Sequence, residues 1–484
     1  MATRRTEREK IAHVYRRLGF GATPSELDAA EKIGLHATID ALIDYREALE
    51  PSPYEFYWRE KEEPDLGSWR TRAWWVYNML VTPTPLKEKL TLFWHSHFPV
   101  SDGKVEDGPM MLDYVQTLRE HAAAPFPKLL TAIAKNPAMM RYLDMERAVR
   151  GRPNENFARE VMELFTMGIG NYDEADVKEV ARSLTGWGYL NTFYEMPGNT
   201  EQKVRDALRD GRPFSTFIDM PAMRDDGPKK ILGKSRDWKG EQVLEMLAKQ
   251  PATSERIARR LWEFFAYQHP ETKPVAAIAR VFQTSVGDIR KTLHAMVRQE
   301  EFWSDRCFRG LVKSPAEFCI GIVRAQGSAA ELRRLRDQAA SPYTPIPKKV
   351  MDNAGHIAYR MERMGLSLLY PVDVSGWKWG DAWATPAMMG ERGMFTGLLL
   401  WDDKGPGAGS KTPLEFVKGK GAKTSEEIAS AICELFDVEL PEASMKVVAK
   451  AVGDPRSLND PGWWAGSLNR AIRVLVAAPE MHMM

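Results

Sequence analysis

Two stretches of the chain place reactive side chains at short, regular spacing. The first is Phe93-Trp94-His95-Ser96-His97-Phe98. Two histidines one residue apart can bind one metal when the backbone is extended, because alternate side chains then share a face. The residues before them, however, read as a helix over Pro85–His97 with Leu86, Leu90, Phe93 and His97 on one face. If that helix continues, His95 and His97 point roughly 200° apart. Unwinding before Pro99 would restore the pair. The second stretch is Pro153-Asn154-Glu155-Asn156-Phe157-Ala158-Arg159-Glu160, followed by Glu163. On an α-helix Asn156, Glu160 and Glu163 fall in one stripe with Arg159 at its edge, beside the apolar face of Phe157, Val161 and Leu164. Crowded carboxylates next to an apolar face can have their pKa values pushed apart, which is what general acid–base chemistry needs. A solvated stripe held by salt bridges is the alternative.

Asp144, with Glu146 and Arg147, stands just before the turn at Gly151 and could supply a further carboxylate or a cap. Asp373-Val374-Ser375-Gly376-Trp377-Lys378-Trp379-Gly380-Asp381-Ala382-Trp383 sets three tryptophans among glycines. The segment reads as an aromatic wall facing a ligand, or as a clasp over a helical core. Residues 405–412 have the wrong spacing for a phosphate loop and no strand before them. No GxSxG elbow is present.

These groups need a scaffold, and helical signals dominate. Thr23 with Glu26 forms a capping-box pattern before Pro24 to Gly34. Further helices are expected over Asp107 to His121, Pro127 to Lys135, Asn154 to Gly168, and Asp173 to Gly186, with Tyr172 stapled against Val177. Residues 187–240 are richer in Gly and Pro. Alternation at Phe214, Thr216 and Ile218 before Asp226-Gly227 suggests a short hairpin there. Helical pattern returns over 241–327. Ser341–Pro347 reads as a linker, Tyr370–Pro386 as irregular, and 402–411 as a loop. Helices resume at Ser425. The fold class expected is mainly α: a large multi-helix domain with short β-hairpins and long irregular loops. Residues 1–340 form the helical core, and 341–484 add the Trp/Gly-rich segment and C-terminal helices packed on it.

The chain has 484 residues, with 67 Lys plus Arg against 66 Asp plus Glu, so no general charge favours a nucleic-acid partner. Cys307, Cys319 and Cys433 are an odd, sparse set, against a disulfide framework or a thiolate zinc site. Arg4-Arg5 is not followed by an apolar signal region, and no run of 18 apolar residues occurs. A cytoplasmic location is expected for the chain as written, or a periplasmic or secreted one if a leader was removed, with no membrane partner.

The motifs together resemble the bacterial family known as domain of unknown function 1800. His13-Val14-Tyr15-Arg16-Arg17-Leu18-Gly19-Phe20-Gly21 is similar to its opening motif. Phe93–Phe98 is similar to its Trp-His-Asn-His-Phe signature, with Ser96 in place of Asn. Pro153–Gly170, continuing to Gly186-Trp187, is similar to its longest motif, and Pro371–Arg392 to its Gly-Trp segment. The resemblance spans about residues 10–400 and implies no particular reaction. Members are often secreted.

From the residues, the expected function is hydrolysis of a glycosidic bond in a polysaccharide or oligosaccharide. Glu160 would be the acid, and Asp144 or Glu163 its partner. His95, His97, Asn154, Glu155, Asn156, Arg159, Trp187, Trp377 and Trp379 are expected to bind substrate, without a cofactor or metal. His95, His97, Asp144, Asn156, Glu160 and Glu163 are expected to converge on one pocket, with Trp377 or Trp379 reaching its rim. The alternatives are a metal-dependent enzyme using His95 and His97, and a non-catalytic glycan-binding or assembly protein.

Overall fold

A computed structural model describes residues 5–46, 66–199, 202–203, 206–207, 213–337, 347–401, 412–455 and 464–484. Residues 341–346 and 402–411, expected to be linker and loop, lie outside the described residues.

The chain is mainly α-helical, with 65% of it in helix and, among the described residues, only two small two-stranded sheets. The elements that position the site are α1 (Glu7–Leu18), α2 (Ser68–Val81), α3 (Pro85–His97), α4 (Gly108–Glu120), α5 (Pro137–Tyr142), α6 (Glu155–Glu160), α7 (Glu174–Ser183), α8 (Pro251–Phe265), α9 (Pro315–Ala325) and α10 (Lys348–Arg363). Many begin on a side-chain cap. Asp107 accepts from Met110 N–H, Asn154 from Asn156 N–H, and Asp173 from Asp176 N–H. Each cap satisfies a first-turn donor that has no partner inside its helix.

All thirteen residues of α3 are buried, not one face only. The helix runs through the middle of the molecule, against α4, with α1 and α2 alongside. Its polar residues must therefore find partners within the protein. Glu88 accepts from Arg119 Nε (3.0 Å) and Nη2 (2.6 Å) and from Trp75 Nε1 (2.9 Å). Lys89 donates to Gly19 O (3.0 Å) and pairs with Glu317 of α9. One continuous apolar core runs from Val14 to Met481, so the C-terminal third packs into the same interior as the N-terminal helices. The packing of α10 along α2 is part of that union.

The expected hairpin is corrected. Thr216–Asp219 (β2) pairs back, antiparallel, with Trp187–Leu190 (β1), Trp187 opposite Asp219. A separate hairpin joins Lys229–Ile231 (β3) to Lys234–Arg236 (β4). The Asp226-Gly227 signal thus belongs to the approach to β3, and the partner of β2 is a strand far back in the sequence. Cys307, Cys319 and Cys433 are free and buried. Among the described residues no helix is long and apolar enough to cross a membrane.

Candidate active site

The helix α3 continues to His97, and the two histidines diverge. His95 is fully buried. Tyr114 Oη donates to Phe98 O (2.6 Å), so at its contact with His95 Nδ1 (2.9 Å) the phenol oxygen accepts. Leu369 N–H donates to Nε2 (3.1 Å). Both nitrogens are thereby occupied, with the proton on Nδ1. Burial pushes the pKa down to about 3. His97 donates Nε2–H to Phe165 O (3.1 Å), and its ring stacks on Phe93. Burial, then Arg260 and Arg256, hold its pKa well below the ordinary value. Both rings are buried and hydrogen-bonded within the protein rather than exposed on its surface. The group of His and carboxylates that brings three possible ligand atoms within 4.8 Å, among the described residues, is Asp40, Asp44 and His294, and it includes neither His95 nor His97.

Ser96, between them, fastens the tryptophan segment to α3. Its Oγ accepts from Trp377 N–H (3.2 Å) and Trp379 Nε1–H (3.0 Å) and donates to Trp377 O (3.4 Å). The approach is so close that a Cβ on Gly376, at φ +80°, would stand 2.1 Å from Ser96 O. Only glycine fits. Trp377 is 4% exposed and sits edge-on to His95; Trp379 packs on Phe264. Trp187 is likewise 4% exposed, against Gly240 and Phe217. The expected ligand wall is a clasp, and the roles assigned to Trp187 and Trp377 are corrected because their faces are consumed by packing. What the clasp carries outward is Asp373, exposed two residues before Ser375. Hydrogen bonds from Ser375 Oγ–H (2.5 Å) and N–H (2.7 Å), with Lys378 nearby, hold its carboxyl below the usual range.

Asn154, which caps α6, also donates to Leu143 O (3.1 Å) and Asp144 O (2.7 Å), stitching that helix to the preceding turn. Asp144 adopts φ +55°, a conformation Asp tolerates, and pairs with Lys104 (2.8 Å). Arg159 is bidentate to Glu174 of α7 (2.6 and 2.8 Å) and lies 3.7 Å from Glu155. These four residues thus hold the frame. Asn156 is exposed.

Glu160 is the last α-helical residue before a π-turn over Val161–Phe165. The wider turn advances fewer degrees per residue than an α-helix, so Glu163 falls short of the place α periodicity gives it, while staying within electrostatic reach of Glu160. Glu163 accepts from Tyr172 Oη (3.0 Å), and its charge helps raise the pKa of that phenol to about 12, after burial. Glu160 remains half-buried. Burial first, then Glu163, raises its pKa, against the opposing pull of Arg159. The half-buried Tyr142 phenol, at the end of α5, is within electrostatic reach of both Glu160 and Asp373. The structure therefore sets a carboxyl with raised pKa and one with lowered pKa around one tyrosine, on two segments far apart in sequence.

Tyr142, Asp373, Arg256, Arg260 and Glu263 were not among the expected site residues. The last three lie at i, i+4 and i+7 on α8. That polar stripe was legible in ERIARRLWEFF, where it flanks an otherwise apolar face. Arg256 Nε donates to Leu164 O (3.1 Å), which brings α8 against the π-turn. Burial lowers the pKa of Arg260 to about 10 and raises that of Glu263. The residues expected in one pocket differ in how far they are buried. His95 and Trp377 are sealed beneath the clasp, whereas Glu160, Glu163, Tyr142 and Asp373 form the partly open face.

The family model described as a protein of unknown function, DUF1800, matches residues 13–483. No curated protein and no solved structure matches the chain.

Proposed function

Taking as premise that this chain belongs to the DUF1800 family, over nearly its whole length, we propose that it is a hydrolase of glycosidic bonds working through paired carboxyl groups. The observation that carries this reading is the opposed environment of Glu160 and Asp373 around Tyr142. A carboxyl whose pKa is raised by burial and a like charge is better suited to give its proton to the leaving glycosidic oxygen. One held ionised by hydrogen bonds can take a proton from water. The bond from the anomeric carbon to the leaving oxygen breaks as the bond to water oxygen forms. The leaving oxygen receives the Glu160 proton, and Asp373 receives the proton from water.

Glu163 supports the protonated form of Glu160 through its negative charge, and Tyr172 holds it in place. Asp144, tied to Lys104, shapes the turn that leads into Asn154. Ser96 and Gly376 set the position of Asp373 by anchoring the clasp. The substrate partner is a carbohydrate. The test is a panel of polysaccharides assayed for both binding and new reducing ends. Release of reducing ends by the parent chain, lost in Glu160→Gln with binding retained, supports the reading. Binding without release by the parent chain would replace the enzyme with a glycan-binding protein.

A further inference from the structure

We infer that Arg256 and Arg260 form an anion-recognising subsite beside Glu163, so that the glycan this site takes carries carboxylate or sulfate groups. The inference deepens the glycosidase reading and rests on it for the word substrate.

The two arginines stand four residues apart on α8 (Pro251–Phe265), hence on one face, with Cβ atoms about 5–6 Å apart. Like charges at that spacing repel. Yet among the described residues neither arginine forms an ion pair within 4 Å. Arg256 uses only Nε, on Leu164 O, and Arg260 forms no hydrogen bond. The carboxylates within electrostatic reach are Glu163 and Glu263. Glu163 is engaged by Tyr172. Burial raises the pKa of Glu263 against the pull of the nearby arginines, and it forms no ion pair within 4 Å with Arg256 or Arg260 among the described residues. Gly168, at φ +83°, has no side chain to cover Arg256: a Cβ there would lie 3.4 Å from Nη1. Below the pair lies His97, kept neutral and so adding no charge of its own. Two guanidinium groups half-withdrawn from water, without a bonded counter-ion, match the planar oxygens of a carboxylate or the oxygens of a sulfate ester. They sit against the same π-turn that carries Glu163, one residue before Leu164.

The experiment is isothermal titration calorimetry of the full chain with oligogalacturonate, dextran sulfate and neutral maltodextrin at fixed ionic strength. Binding of either anionic glycan and not of maltodextrin is expected. Oligogalacturonate alone identifies a carboxylate ligand, dextran sulfate alone a sulfate ester, and both together selection by charge. Equal binding of maltodextrin, or binding of none of the three, overturns the inference. The double variant R256Q/R260Q should bind at least ~10-fold more weakly, the loss expected when charge-assisted contacts are removed. Should that variant fail to fold, R260K keeps the charge but removes the fork, and unchanged affinity in it overturns the inference. Glu160→Gln separates the two ideas. Anionic binding insensitive to the arginines removes the subsite alone, and full turnover by Glu160→Gln removes the acid assignment alone.

Discussion

Replacing Gly376 by Ala tests how the clasp is held. The residue is at φ +80°, where a side chain costs roughly 1–2 kcal/mol. Its new Cβ would stand 2.1 Å from Ser96 O, a separation that cannot exist, so the segment must lift from α3. Lifting breaks the bonds from Trp377 N–H and Trp379 Nε1–H to Ser96 Oγ. Each donor left without a partner costs about 1–3 kcal/mol. The sum is on the order of 3–8 kcal/mol. A chain of 484 residues unfolds with an entropy of about 1 kcal/mol/K, so Tm should fall by about 3–8 °C. The control is Gly390→Ala, where an added Cβ meets nothing within 4 Å, in the helix Pro386–Trp401. It should be neutral or stabilising by up to about 1 kcal/mol. Differential scanning calorimetry of both variants decides the matter. If Gly376→Ala melts within about 1 °C of the parent, the account of the clasp is wrong, since the smallest sum predicts a fall of about 3 °C.

Two other outcomes follow from buried charge. His13, His95 and His97 are neutral in the fold, with pKa values depressed by burial, that of His95 to about 3. The unfolded chain binds their protons below about pH 6.5, so their stability is fully present above that value and is lost as pH falls, by about 1.4 kcal/mol per unit for each histidine. Asp107, Asp113, Glu146, Glu160 and Glu263, raised by burial, oppose this, and His482, lowered to about 3, adds to it. Urea midpoints should therefore drop steeply from pH 7 to pH 5, and flat midpoints would contradict the assigned protonation states. Lys89→Met leaves Glu317 buried without its partner and should cost about 3–5 kcal/mol by urea denaturation. The double variant K89M/E317L should regain most of that loss, and failure to regain it would mean that the pair is more than mutual neutralisation.

Local features of the fold were legible because their causes are local. Thr23 and Glu26 form the capping box their spacing announces, and Asp173 and Asn154 cap where expected. The divergence of His95 and His97 also follows from helical rotation alone. What the sequence hid depends on distant partners. The strand β2 pairs with Trp187–Leu190 rather than across the nearby Asp226-Gly227. Asp373 and Glu160, remote in sequence, both come within electrostatic reach of Tyr142, and Ser96 with Gly376 anchors the segment that carries Asp373. The tryptophans were read as a wall because their number exceeds what one helix face can bury, but a clasp lying across α3 buries Trp377 without any helical periodicity. The π-turn after Glu160 leaves no simple residue signature, and it shifts Glu163 from the place α periodicity gives it.

The central claim is that Glu160 is the proton donor of a glycosidase, and reducing-end release is its most direct measure. Parent chain and Glu160→Gln should be compared on the anionic glycan that the chain binds, at equal binding and equal Tm. The account predicts release by the parent and a rate at least ~100-fold lower in the variant, the usual contribution of a positioned general acid. Equal rates in the two proteins, or no release by the parent from any glycan it binds, would contradict it.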